Sequence, residues 1–190
     1  MLKKSLLIWI TLILAACTSQ PTSSPEREDA AIYLAALKYE FKIQTVVGLV
    51  VTGSSPVSIP ESFSAYIRTN FKDLADTEAL DNFIAANQNP IALDEIISEL
   101  PGVILLSKDE VSQIFRSNSL ESGWKAFYNK YPLAVGLIYV SNIGYNRAYT
   151  QAFVSIGRQS GPLNGYGEYL YLEKINGAWL VKKSLMAWIS

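Results

Sequence analysis

The residues of this chain whose types and spacing could support chemistry are serine, lysine and clustered carboxylates. Ser122 and Lys125 fit the Ser-x-x-Lys pattern, in which a lysine helps to activate a serine nucleophile. Acidic side chains also cluster at residues 76–78, 94–95 and 109–110. The Ser-Asp-Asn and Lys-Thr-Gly elements that complete this acyl-enzyme pattern do not occur in the sequence. The alternative function that remains is a hydrolase built from carboxylates and serine that acts on an envelope substrate, with residues that meet only in the fold.

Two residue types that dominate catalytic and metal sites are nearly absent. The chain has no histidine and one cysteine, Cys17. Histidine is the commonest acid–base group near neutral pH and the commonest imidazole ligand of metals. We therefore expect no histidine-dependent catalysis, no metal site and no cofactor.

Four glycines, at positions 157, 161, 165 and 167, could suggest a loop that cradles phosphate. Such loops present their N–H groups at the start of a helix. Here the glycines run into a β-rich segment, so the pattern favours a hairpin connection.

The amino terminus has the features of an export signal in their usual order. Lys3 and Lys4 precede an apolar run over residues 6–14, and small residues follow. The run is shorter than the roughly 20 apolar residues that a spanning helix needs. The segment Leu14-Ala15-Ala16-Cys17 resembles the lipobox of bacterial lipoproteins; the alternative is a plain thiol beside a general secretory cleavage site. Residues 1–16 are thus predicted to be a signal peptide.

The lipobox resemblance implies that Cys17 carries a diacylglyceryl group with acyl chains such as palmitate. Two or more chains hold a protein stably on a membrane, whereas one does so only marginally. Thr18 stands where an aspartate would favour the inner membrane, so the periplasmic face of the outer membrane is favoured if the source has two membranes. Residues 17–29 are polar and are predicted to be a flexible tether of at most about 40 Å.

Composition indicates a single globular core, and the charge of the chain argues against nucleic acid as a partner. Hydrophobic residues make up 49% of the chain, which supports one conventional core over residues 30–190. Fourteen basic residues against seventeen acidic ones remain after the signal, unlike a nucleic-acid binder. Residues 61–121 carry a charge of −7 and residues 122–190 one of +5. These segments could neutralise each other, or the basic one could face lipid headgroups or an anionic envelope polymer.

The periodicity predicts an α+β domain, in which helices from the amino-terminal and middle segments pack on a carboxyl-terminal antiparallel meander. The predicted strands are residues 134–141, 147–157, 167–174 and 178–189, preceded by strands at 44–51 and 103–106. Asn176-Gly177 predicts a tight hairpin turn. Ser107 and Glu110 form a capping box that predicts a helix start. Apolar stripes beginning near residues 30, 63, 80 and 124 predict further helices.

Alternation in the predicted strands separates an aliphatic face from one rich in tyrosine. Because wet sheet faces are ordinarily polar, large aromatics there suggest a contact surface. The other interpretation is that the first helix or a second copy covers this face. The predicted ligand-contact residues are Tyr139, Arg147, Tyr149, Gln151, Phe153, Tyr169 and Tyr171.

The carboxyl-terminal half resembles a family of uncharacterised bacterial envelope proteins. The similarity spans roughly residues 103–190 and rests on Trp124…Phe127…Tyr131-Pro132, Ser141 to Asn146, the Gly-rich turn, Leu172 to Trp179 and the terminal Trp188-Ile189-Ser190. It implies an exported domain without implying a mechanism. Family members often have cysteines in the Gly-rich turn, where this chain has Ser160 and Asn164.

These observations favour a membrane-anchored, non-enzymatic binding or structural module of the cell envelope. The predicted partners are the membrane, through the lipid, and an envelope protein, peptide or glycan. No catalytic residue is predicted.

Overall fold

The computed structural model describes residues 25–42, 49–52, 61–73, 77–88, 94–116 and 119–190. Cys17, the predicted signal, most of the predicted tether and the first part of the predicted strand 44–51 lie outside these residues. Within the described segments, no helix combines the length and apolarity needed to cross a bilayer.

The described residues form helices in the first two thirds of the chain and mostly strands in the last third. The helices are α1 (Pro25–Phe41), α2 (Glu61–Phe71), α3 (Thr77–Gln88), α4 (Asp94–Ser98), α5 (Lys108–Ile114) and α6 (Leu120–Lys130). The strands are β1 (Leu49–Thr52), β2 (Val103–Leu106), β3 (Leu137–Val140), β4 (Gly144–Tyr145), β5 (Gln151–Gly161), β6 (Asn164–Ile175) and β7 (Ala178–Ile189).

The strands form one sheet in the order β2-β1-β3-β5-β6-β7, with β4 paired to β5. From β3 to β7 every pairing is antiparallel, while β1 lies parallel to both β2 and β3. The predicted α+β class with a carboxyl-terminal meander and two earlier strands is therefore confirmed.

Helices cover both faces of the sheet. On the aliphatic face, α1 and α4 pack against alternate residues of β3, β5 and β6, including Ile138, Val154 and Leu170. On the aromatic face, α2 and α3 cover the middle of β5 and β6, and α5 and α6 cover the region of β2 and β3. The first helix thus lies on the aliphatic face.

Two local signals have the predicted geometry. Asn176 and Gly177 have φ values of 51° and 82°, which a type I′ turn requires at both central positions. Ser107 is the N-cap of α5, where its hydroxyl accepts from the Glu110 N–H while the Glu110 carboxylate accepts from the Ser107 N–H.

Several predicted boundaries are wrong. The strand β3 is shorter than the predicted 134–141, β5 continues past the predicted residue 157 to Gly161, and β6 begins at Asn164, before the predicted residue 167. Two further differences have a clear cause. The helix α1 begins at Pro25, inside the predicted tether, because Glu28 is buried and paired with groups of the sheet. The strand β5 begins at Gln151 and not at Arg147, because the four preceding residues form a turn that the Asn146 side chain organises.

Candidate functional site: a cleft beside Tyr149

The predicted aromatic contact face is divided between the core and the surface. Phe153, Tyr169 and Tyr171 lie together on adjacent strands, as predicted, but each is almost fully buried. Their rings contact Phe71 of α2 and Phe83 of α3, with a Phe71–Phe153 centroid distance of 5.1 Å. An exposed ligand surface at these three residues is therefore ruled out, and the covering elements are α2 and α3 and not the first helix.

Tyr139 and Gln151 do not belong to the buried aromatic group. Tyr139 on β3 is half-buried among the residues beneath α6, and this burial raises the pKa of its phenol. Gln151 is the half-buried first residue of β5. Tyr139 is remote in the sheet from the beginning of β5, because it pairs with Gly157.

The two remaining predicted residues, Arg147 and Tyr149, line an open cleft between α3 and the turn that precedes β5. The cleft has a volume of about 290 Å³, near the lower limit of typical small-molecule sites. Its lining combines aromatic rings, amides and one cation: Asn82, Ala86, Ile143, Tyr145, Asn146, Arg147 and Tyr149.

The turn holds Tyr149 in a conformation that side chains rarely adopt. Tyr149 has a φ of 52°, and its N–H donates to the Asn146 carbonyl at 3.0 Å. A left-handed conformation costs a non-glycine residue roughly 1–2 kcal/mol. Tyr149 is nevertheless 42% exposed, so burial of its side chain is incomplete. Strained residues of this kind concentrate at functional sites.

Asn146 is the residue that fixes this turn. Its Oδ1 accepts from the backbone N–H groups of Thr150 and Gln151 at 2.9 and 3.0 Å, and its Nδ2 donates to the Thr150 hydroxyl. The side chain is buried, so these hydrogen bonds are shielded from water. The turn is consequently a rigid platform for Tyr149.

Behind Tyr149, a series of aromatic rings connects the cleft to the start of α1. The Tyr149 ring packs on Tyr145 at 5.0 Å between centroids, and Tyr145 packs on Trp179 at 6.1 Å. The Tyr145 hydroxyl donates to Asp29 of α1. Burial, reinforced by Asp29, raises the pKa of Tyr145 far above its ordinary value, so this donor stays protonated.

Glu28, next to Asp29, binds two groups of the β6–β7 hairpin. Its Oε1 accepts from Lys174 Nζ at 2.5 Å and its Oε2 from Trp179 Nε1 at 2.6 Å. The Glu28 side chain is 7% exposed and that of Lys174 25%. Paired and hydrogen-bonded in this way, the buried carboxylate positions Trp179 behind Tyr145.

Arg147 supplies positive charge at the rim of the cleft. Its side chain is 92% exposed, and its Nε lies 3.8 Å from Glu78 Oε1 of α3. The backbone N–H of Arg147 donates to Glu78 Oε2 at 2.9 Å. Glu78 therefore fixes the backbone of Arg147, while the guanidinium extends into solvent.

The other sequence motifs have structural roles. Ser122 contributes its N–H to the N-cap hydroxyl of Ser119, and Glu110 belongs to the capping box of α5. Gly157, Gly165 and Gly167 lie beneath the Trp188 indole, where an added Cβ would come within 3.0 Å or less of the ring. Glycine at these three positions therefore leaves space for the Trp188 ring.

One half-buried carboxylate, Glu168, has a shifted pKa. Burial, reinforced by the neighbouring Glu40 carboxylate, raises the pKa of Glu168. The Tyr166 hydroxyl donates to Glu40, and burial together with Glu40 raises the pKa of Tyr166 to about 12. In the part of the chain that the structure describes, no group of three acidic or cysteine side chains is placed to hold a metal ion.

Comparisons with family models, with curated proteins and with solved structures find no match to this chain. The geometry of the cleft is therefore the basis for a functional argument.

Sequence reasoning identified Arg147 and Tyr149 but missed Asn82, Tyr145 and Asn146. A signal for the last two existed, because they end the Ser141 to Asn146 segment that carries part of the family resemblance. Hydrogen bonds fix this segment against α3. The Asn142 N–H donates to Asn87, and Asn82 Nδ2 donates to the Tyr145 carbonyl at 2.7 Å.

Proposed function

We propose that this protein is a lipid-anchored envelope module that binds an anionic glycan in the cleft beside Tyr149. The observation that carries the proposal is the exposed side chain of Tyr149, held in a strained conformation next to a largely exposed Arg147. Strained residues cluster at binding and active sites, and this one leaves part of its aromatic side chain exposed at the rim of an open cleft.

The chemistry of the lining favours a sugar polymer with carboxylates. Aromatic ring faces bind the C–H faces of sugar rings, and amides bind hydroxyl groups. Arg147 adds a guanidinium, whose planar fork pairs well with a carboxylate. In the bacterial envelope, peptidoglycan combines sugar rings with carboxylates, so we assign the cleft to this class of ligand.

The lipid anchor is the second part of the proposal, and it rests on the order of basic residues, apolar run, small residues and Cys17. A module held near a membrane by acyl chains and bound to the glycan layer would connect the two. The outer membrane is the proposed location, on its periplasmic face.

Retention of the full-length protein, purified in detergent, on insoluble peptidoglycan sacculi tests the cleft. We expect Tyr149→Gly and Arg147→Gln each to weaken retention at least 10-fold. Tyr39→Ala and Arg116→Gln are the matched controls, because both residues are exposed and neither lines the cleft. Equal retention of the wild type and Tyr149→Gly would refute the glycan assignment.

Metabolic labelling with a tritiated fatty acid tests the anchor. We expect the label to enter the wild type and to be lost in Cys17→Ser, because the thiol is both the acceptor and part of the processing signal. Undiminished label in Cys17→Ser would rule out the lipobox interpretation, and it would leave the binding test unaffected.

A further inference from the structure

The outer edge of β7 is a long sheet edge with exposed apolar side chains. In the described part of the chain, β7 pairs only with β6, although it extends over 12 residues. Native proteins keep exposed edges short, charged or covered, because a free edge can pair with another strand. The exposed large residues of this strand include Leu180 (47%), Met186 (51%) and Ile189 (73%).

An apolar groove runs beside this edge, between β7 and α2. It has a volume of about 320 Å³ and is lined by Ser62, Phe63, Tyr66, Met186 and Ala187. Phe63 and Tyr66 are 38% and 43% exposed. These rings are on the outer side of α2, whereas Ile67 and Phe71 of the same helix are buried against the sheet. The groove thus offers a pocket for a side chain of any strand that adds to β7.

The charge of β7 indicates which strand would fit. Lys182 is exposed at a bulge near the centre of β7, and residues 178–190 contain no acidic residue. Lys183 Nζ already donates to the Asn70 carbonyl at 2.6 Å and lies 5.2 Å from the Phe71 ring centroid. Lys182 is therefore the cation of this edge that faces solvent.

The same lysines oppose pairing with a second copy. Antiparallel pairing of two β7 strands over their full length would gather the lysines of both copies within about 10 Å, given 3.3 Å per residue. Like charges within about one Debye length of each other repel. Pairing of β7 with the β7 of a second copy is consequently disfavoured, and pairing with a strand that carries carboxylates is favoured.

We propose that β7 and the groove beside α2 form a docking site for an extended, acidic protein segment that adds to the sheet as a further strand. Backbone hydrogen bonds to β7 supply affinity, and side chains supply specificity. A carboxylate meets Lys182, and an apolar side chain about 13 Å farther along, four residues at 3.3 Å, enters the groove at Met186.

Fluorescence anisotropy with the full-length protein in detergent tests this site. The probe is a labelled, end-blocked peptide of eleven residues with threonine at the even positions, glutamate at positions 5 and 7 and valine at the other odd positions, so that a valine lies four residues from each glutamate in both chain directions. Its matched peptide has lysine in place of glutamate. We expect saturable binding of the acidic peptide and binding at least 10-fold weaker for the basic one. Lys182→Glu should weaken the acidic peptide at least 10-fold, while Lys125→Glu on α6, also exposed, should have no effect.

Two outcomes would overturn the proposal. The first is unchanged binding of the acidic peptide to Lys182→Glu. The second is self-association of the wild type in sedimentation that Met186→Glu abolishes, because the occupant would then be a second copy. Neither Lys182 nor Met186 lines the cleft beside Tyr149, so this test is independent of the glycan assay.

Discussion

The middle of β5 and the turn that precedes it are two regions that one alternating pattern places on the same face. At Phe153 this face is closed, because the rings of α2 and α3 pack on it. At Tyr149, only four residues earlier, the ring lies at the rim of an open cleft. Alternation along a strand therefore identifies a side of the sheet, whereas long-range packing decides which residues on that side meet solvent.

The two regions also differ in the interactions that stabilise them. The closed region is stabilised by apolar burial and edge-to-face aromatic contacts. The open region is stabilised by the polar contacts of Asn146 and by the contact of Tyr145 with Asp29. Substitutions should consequently separate them into a core that loses stability and a cleft that loses binding.

The largest expected effect is at Tyr171, in the closed region. Tyr171→Ala should lower the free energy of unfolding by about 4 kcal/mol, as truncation of a buried aromatic side chain does. Urea unfolding followed by circular dichroism gives this value. A loss below about 1 kcal/mol would mean that the aromatic face is not part of the core.

A substitution at Gly144 should affect both regions, because α3 covers one and lines the other. A Cβ at this position would lie 2.1 Å from the backbone nitrogen of Phe83, so α3 would have to move. We expect Gly144→Ala to cost about 3 kcal/mol, at the upper end of overpacking effects. Retention on sacculi should fall as well; unchanged stability would contradict this close approach of helix and strand.

Asn146→Ala should act on the open region alone. Two backbone N–H groups and the Thr150 hydroxyl would lose their partner, at an expected cost of about 2 kcal/mol. Because the turn would no longer hold Tyr149, retention on sacculi should decrease at least 10-fold, as it does for Tyr149→Gly. Asn164→Ala, at the exposed first residue of β6, is the control.

The smallest effect on stability is expected for Tyr149→Gly. Glycine relieves roughly 1–2 kcal/mol of backbone strain, which offsets the roughly 0.5–1.5 kcal/mol of the lost contact with Tyr145. The free energy of unfolding should therefore stay within about 1 kcal/mol of the wild type, whereas glycan retention is lost. A loss of stability comparable to that of Tyr171→Ala would place Tyr149 in the core.

The sequence predicts best the features that depend on a few neighbouring residues. Asn176-Gly177 predicts the turn between β6 and β7, and Ser107 with Glu110 predicts the start of α5, since each motif satisfies its own backbone groups. Strand alternation also assigns Val154 and Leu170 to the aliphatic face correctly.

The features that it does not predict depend on residues far apart in the chain. Tyr145 contacts Asp29 across 116 positions, and Glu28 contacts Trp179 across 151. No periodicity within α1 indicates that its first turn would carry two carboxylates toward the sheet. The strained Tyr149 is equally hidden, because a β-rich composition around residues 147–157 resembles a continuous strand.

The early start of α1 limits the distance between the cleft and the proposed lipid on Cys17. Asp29 contacts Tyr145, which lines the cleft, so the cleft lies near the beginning of α1. With the helix beginning at Pro25, the eight residues 17–24 can span at most about 29 Å when fully extended. A protein anchored through Cys17 would reach only the layer of the envelope next to its membrane. Its ligand would therefore have to lie in that layer.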